Sequence, residues 1–412
     1  MNEFDQKQKI QDDIFLSVSI CVLMIGLYIT NIAPGLEAII YLDSEQISTY
    51  CKWMILISLI VCVPAMLRRF TFRMLWICIG TALVYSINRL CFPAQQEIFG
   101  ALAGFFVTTI LPAVICFLAI RDYTRLIRYL IILSYVLSGI TVFLLFTLGG
   151  ALFGSSYSMG FSNMMIFPTE LLLIQAGLME KKPSLKLIAY VLAAGDIICV
   201  GVYGSRGALA AIAVFFIFLL IKNRPKSMSA WVSRFSLILI MLIVAIFFDD
   251  IVYSLNLRLV RSGFHNRTLQ LLIKDIGHDS GRYEKWKIIL SEIASSPGKI
   301  RGICADRLIL DGRSYTHNVI LELAYSFGVV LSIPMILQIA YYTYYTVIAK
   351  WNSYTIILTL TMFSFLPLYL WSGTVWTSMY FWIWVFIFRR ELLSDGPSSP
   401  VPLSKFITRF EK

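Results

Sequence analysis

The stretch "GRSYTHNVILELAYSFGVV", residues 312 to 330, carries His317, one of three histidines in a chain of 412 residues. It stands where a polar loop turns into an apolar helix. The positive end of a helix disfavours imidazolium, so this ring is expected to be neutral near pH 7. A neutral imidazole at a water–membrane boundary suits a general base for a hydroxyl; a plain hydrogen-bonding helix cap is the competing reading. Asn318, the next residue, can orient the ring or a substrate hydroxyl. Glu322, one helical turn beyond Asn318, is a second supporting candidate.

Two arginines offer anion chemistry. Arg206 opens an apolar run in "VYGSRGALAAIAVFFIFLLI", beside Gly201, Gly204 and Gly207. Glycines let the backbone approach a ligand closely, and a guanidinium binds phosphate in bidentate fashion. Snorkelling toward a membrane surface is the other reading of that position. Arg282, in "DSGRYEKW", opens a predicted helix whose free N–H groups already favour phosphate; it reads equally as a solvated cation. Arg258, Arg261, Arg267, Arg301, Arg307 and Arg313 lie on the same loop and pattern does not rank them.

Two acids fall inside apolar runs, Asp196 and Glu170. An ionised carboxylate there costs about 2.5–3.5 kcal/mol, so each is expected to be protonated, paired or facing a cavity, and a proton relay is open. Asp196 precedes Arg206 by ten residues, about 15 Å along a helix, too far for direct pairing unless the turn between folds back.

The elements that must position these residues are set by composition. Hydrophobic residues make up 58% of the chain and charged residues 14%, about half the charge typical of a soluble domain. We read an all-α, polytopic membrane protein whose partner is the lipid bilayer, with twelve spans over about 13–33, 50–67, 72–88, 97–120, 126–148, 161–180, 185–203, 206–221, 231–249, 317–349, 353–371 and 374–389. Residues 1–249 hold spans one to nine, 250–316 one long loop, 317–390 the last three spans and 391–412 a polar tail. No cleavable signal peptide is expected; the first span anchors the chain. Arg68, Arg69 and Arg73, then Arg121, Arg125 and Arg128, then Lys181, Lys182 and Lys186 cluster in alternate connections, which places both termini in the cytoplasm and the long loop outside. From residue 249 that loop carries eleven Lys or Arg against eight Asp or Glu. Within it, "SGRYEKWKIILSEIASSPG" predicts a helix capped by Asp279 or Ser280, with Trp286, Ile289, Leu290 and Ile293 as an apolar stripe that can lie on the outer membrane surface.

The net charge of +11 belongs to that topology, not to a nucleic-acid partner. Six of the eight cysteines sit in or beside spans, and no CxxC or Cys/His spacing marks a metal site, so neither metal nor cofactor is expected. No internal repeat is visible, which counts against transporter folds built from duplicated halves.

In order and spacing, "GSRGALAAIAVFF", "DSGRYEKWKIILSEIASSPGKIRG" and "THNVILELAYSFGVV" resemble the O-antigen ligase and O-antigen polymerase superfamily of bacterial membrane proteins, over roughly residues 200–335. The chain has "SFGVVLSIP" where that family often repeats a glycine three residues on, a departure that bears on helix packing. The resemblance implies a glycosyltransferase at the outer face of the cytoplasmic membrane. Its donor would be a glycan on undecaprenyl diphosphate, its acceptor a glycan hydroxyl, with no nucleotide sugar and no required metal. Arg206 and Arg282 would hold the diphosphate, His317 would activate the acceptor, and the anomeric configuration would invert. A flippase and a chain-length regulator are the implied protein partners. Polymerase is favoured over ligase because the superfamily has many divergent members in polysaccharide clusters. A lipid-linked oligosaccharide flippase, supported by Asp196 and the span count, is the alternative from another class.

Overall fold

A computed structural model describes residues 3–40, 42–148, 159–203, 206–223, 253–254, 257–258, 260–261, 281–310, 315–370 and 373–394. All regular structure among them is helical. The long helices come first: α1 (Glu3–Ile40), α2 (Ser44–Arg68), α3 (Phe72–Cys91), then α4 (Gln96–Phe105) running through a π-type turn into α5 (Leu111–Ala119), and α6 (Tyr123–Leu148). They are followed by α7 (Met159–Ile174), α8 (Pro183–Tyr203) and α9 (Arg206–Lys222). After the long loop begins, the helices are α10 (Arg282–Ser295), α11 (Ala305–Ile309), α12 (Val319–Ile348), α13 (Ser353–Phe363), α14 (Leu366–Tyr369), α15 (Met379–Ile387) and α16 (Glu391–Ser394).

Seven of these stretches are long and apolar enough to cross a membrane: Asp5–Pro34, Ser44–Arg68, Phe72–Cys91, Pro93–Ala119, Tyr123–Leu144, Pro183–Gly201 and Val319–Ile348. Each coincides with an expected span. α2 and α3 leave Leu56, Ile57, Ile60, Val61, Trp76 and Leu83 exposed, as helices facing hydrocarbon do. Four other expected spans are shorter or broken. The span at 161–180 is α7 plus a π-type turn, and that at 206–221 is the shorter apolar helix α9. The span at 353–371 breaks at Ser364–Phe365, where α14 restarts with Pro367, which has no N–H to continue the ladder. The span at 374–389 holds a 3-10 turn, Val375–Thr377, and the nine residues of α15, capped by the Ser378 side chain. The span at 231–249, the capping residues Asp279 and Ser280, and the tail beyond Ser394 lie outside the described residues.

The chain divides into two compact units, Met1–Met24, Lys52–Leu130 and Asp279–Val401 in one, Ile25–Cys51, Ile131–His278 and Pro402–Lys412 in the other. In the first, three of the arginines counted for topology are held by α1, among them Arg125, whose Nη1 donates to Ile10 O at 2.9 Å. Arg68 Nη2 donates to Asp12 Oδ1 at 2.5 Å, and Arg69, itself buried, pairs with Asp13 and donates to the Ala119 carbonyl at 3.0 Å. In the second, α7 packs on α8 and α9.

The segment that follows α10 sets the geometry of the candidate site. α12 is kinked at Gly328, whose φ of 74° and ψ of 158° are open essentially only to glycine. Carbonyl groups freed near that kink accept from the loop: Arg301 N and Gly302 N both donate to Ser326 O at 2.9 Å. In return Val329 N donates to Pro297 O at 2.8 Å. Ile289 of α10 and Ala305 and Leu310 around α11 bury themselves against Tyr325, with Ile293, Ile309 and Leu321 alongside. Part of the predicted stripe on α10 therefore closes on α12, while Leu290 stays half exposed.

Candidate functional site

His317 lies two residues before the first residue of α12, in the left-handed region at φ 57°, unusual for a residue with a side chain. Its neighbours fix that conformation. Thr316, fully buried, donates through both N and Oγ1 to Asp306 Oδ2 at 2.9 Å, and its carbonyl accepts from Trp286 Nε1 at 2.7 Å. Asn318 is the N-cap of α12, its Oδ1 accepting from Ile320 N at 3.0 Å and Leu321 N at 3.1 Å. With Thr316 and Asn318 both tied down, the backbone between them has little freedom.

The imidazole is partly buried, and its ring centroid lies 3.9 Å from that of Tyr315. Nδ1 is buried without a hydrogen-bond partner among the described residues. Burial pulls the His317 pKa down to about 4, and the positive charges of Lys285 and Arg282 push in the same direction. The ring is neutral at pH 7, as the sequence predicts, though burial outweighs the nearby charges as the cause. With its proton on Nε2, the ring keeps an unengaged lone pair at the buried Nδ1.

Arg282 is the first residue of α10 and lies in the same unit as His317, close enough to act on it electrostatically. The predicted pair is thus brought together. Arg206 opens α9 in the other unit; its side chain, with Gly204 and Ser205 before it, lies outside the described residues.

The two supporting candidates prove architectural. Asn318 spends its oxygen on the cap, and its Nδ2 donates to Leu370 O at 3.2 Å. Glu322 is 1% exposed; Thr374 Oγ1 donates to one oxygen and Val375 N to the other at 3.2 Å. Both residues pin the start of α12 to the segment around 370–375, so neither is placed to orient the imidazole.

Of the loop arginines, Arg301 is committed to structure, donating to the carbonyls of Lys299, Glu292 and Ser296 and stacking 4.6 Å over the Tyr325 ring. Arg307 is buried, donates to Cys304 Sγ at 2.6 Å and lies 5.8 Å over the ring of Tyr315. Arg258 and Arg261 are exposed, and Arg267 and Arg313 lie outside the described residues. Sequence reading passed over Asp306, Tyr315, Thr316 and Thr374, which hold His317 and Glu322 in place. Their partners are ten to fifty residues away with no periodicity to find them by. Tyr315 alone, two residues from the histidine, was within reach.

Asp196 and Glu170 are both fully buried in the second unit. Asp196 Oδ2 accepts from Ser138 Oγ at 2.5 Å and Thr169 Oγ1 at 3.3 Å, and beside them Tyr28 and Thr141 share a hydrogen bond of 2.6 Å. These hydroxyls partner one oxygen of the acid, and its Oδ1 is buried without a partner among the described residues. Among the described residues no group of three or more His, Cys, Asp or Glu is placed to hold a metal ion. No protein-family model matches this chain, and no curated protein matches it in sequence.

Proposed function

We propose that the chain is a polymerase of bacterial surface polysaccharide, transferring a glycan from undecaprenyl diphosphate to an acceptor sugar hydroxyl outside the cytoplasmic membrane. The observation that carries this reading is His317. A neutral imidazole with a buried, unpartnered Nδ1 sits at the start of a long apolar helix, and the charges of Lys285 and Arg282 act on it. His317 takes the proton from the acceptor hydroxyl as its oxygen attacks the anomeric carbon. The bond from that carbon to the diphosphate oxygen breaks on the opposite face, inverting the configuration. Arg282 neutralises the charge that develops on the leaving diphosphate, so that electrostatic stabilisation stands in for a metal. Both termini are then cytoplasmic and the 250–316 loop lies outside.

The test is the surface glycan of a deletion strain. Single repeat units on their carrier are the expected result. Full-length polymer that never reaches its final acceptor would instead establish a ligase. Loss of surface glycan, with the lipid-linked repeat trapped on the cytoplasmic side, would establish the flippase reading, which the buried carboxyl of Asp196 favours.

A further inference from the structure

α3 and α4 enclose a recess of about 350 Å³ in the first unit. Tyr85, Ser86 and Arg89 line it from the end of α3; Gln96, Phe99, Gly100 and Ala103 line it from the start of α4. The volume falls at the small end of the ~300–1,000 Å³ range of small-molecule sites. Its floor is small because Gly100 carries no side chain, and a Cβ built there meets nothing within 4 Å.

The chemistry of the lining is mixed. Phe99 and Phe106 hold the Tyr85 ring between them, at centroid distances of 5.1 and 5.3 Å, as an apolar base. The Tyr85 hydroxyl is buried without a partner among the described residues. Ser86 adds an exposed hydroxyl, Gln96 an amide and Arg89 one exposed guanidinium. Several neutral hydrogen-bonding groups around an apolar base, with a single cation at the rim, match a sugar ring better than a phosphate, which would need more positive charge.

The recess is joined to the candidate site through its walls. Asn88, between Tyr85 and Arg89 on α3, accepts from Ile303 N at 2.7 Å, and Gln95, just before Gln96, donates to Arg301 O at 2.6 Å. A Cβ on Gly302 would lie 2.6 Å from the Phe92 ring, so the loop is seated closely there. The segment between α10 and α11 is thereby fixed to the elements that form the recess.

We infer that the recess formed by Tyr85, Ser86, Arg89, Gln96 and Gly100 is a saccharide subsite that holds one or two sugar residues of the acceptor glycan. The assignment to the acceptor rests on the transferase reading above; the binding of saccharide does not.

The test is equilibrium binding to the full chain in detergent, using as probe the repeat-unit oligosaccharide hydrolysed from the source organism's surface polysaccharide. Saturable binding is expected. Gly100→Leu, which puts a side chain into open space, should weaken it at least tenfold, and Arg89→Ala about threefold to tenfold. No binding by the unaltered chain would overturn the subsite, as would equal binding by Gly100→Leu and Arg89→Ala. So would loss of a co-purified phospholipid from Gly100→Leu with oligosaccharide binding intact, which would make the recess a headgroup site. Binding requires no turnover, so a chain that binds the oligosaccharide but transfers nothing refutes the transferase reading and keeps the subsite. Normal acceptor KM in a transferring Gly100→Leu does the reverse.

Discussion

The polar residues around His317 and those around Asp196 are both set among apolar helices, yet they are finished differently. In the second unit Ser138 and Thr169 converge on one oxygen of a fully buried carboxyl, and Tyr28 and Thr141 bond to each other. In the first, Asp306, Thr316, Asn318, Glu322 and Thr374 satisfy backbone or one another, and His317 beside Thr316 keeps a buried Nδ1 without a partner among the described residues. Each region keeps one buried polar atom without a partner among the described residues, Asp196 Oδ1 and His317 Nδ1. The difference lies in what acts on them: the cations Lys285 and Arg282 bear on the imidazole, whereas the donors to the carboxyl are hydroxyls.

The largest separation between the two regions should come from the cation beside the histidine. Arg282→Lys keeps the charge but loses the planar fork, and should lower polymer yield tenfold or more with insertion unchanged, read from glycan length on gels. Wild-type length in that variant would remove Arg282 from the diphosphate site. Next is the kink that seats the loop. Gly328→Ala forces a side chain into φ 74° and brings its Cβ within 3.1 Å of the Gly298 carbonyl, at a cost of about 1–3 kcal/mol. A fall in Tm of the detergent-solubilised protein is expected, and an unchanged Tm would show that the kink relaxes freely.

Proton linkage gives a smaller effect, with a defined sign. The folded His317 titrates near 4 and an unfolded histidine near 6.5, so between those values the unfolded chain binds the extra proton. The contribution of His317 to stability is complete above pH 6.5 and falls as pH drops toward 4. Tm should decline over that window, and His317→Gln should flatten the decline; an identical profile in both would contradict the buried neutral ring. The smallest change is expected in the second unit. Asp196→Asn keeps the shape and an acceptor for Ser138, so polymer yield should stay within about twofold. A collapse in yield with normal insertion would make Asp196 part of the chemistry and erase the contrast.

Much of this was legible in the sequence. Apolar runs predicted each of the seven long apolar helices, and Pro297-Gly298 marked the end of α10. Arg282 acts electrostatically on His317, a proximity their spacing of 35 residues did not imply. What was not legible depends on contacts distant in the chain. Asn318 and Glu322 read as partners of the histidine because they are near it in sequence, whereas their real partners are Leu370, Thr374 and Val375. The stripe on α10 read as membrane-facing because amphipathicity says that a helix buries one side, not against what; Ile289 buries against the kinked α12. Arg301 and Arg307 could not be ranked with the other loop arginines, since only the fold shows that carbonyls and a thiol already occupy them.

The central claim is that His317 is the base. Its most direct test is transfer by the purified chain in liposomes supplied with the undecaprenyl-diphosphate-linked repeat unit, without nucleotide sugar or added metal. The unaltered chain should build a ladder of polymer, and His317→Ala should still bind the lipid-linked repeat while slowing its transfer by about 10²–10⁴-fold. A ladder from His317→Ala matching that of the unaltered chain would contradict the account.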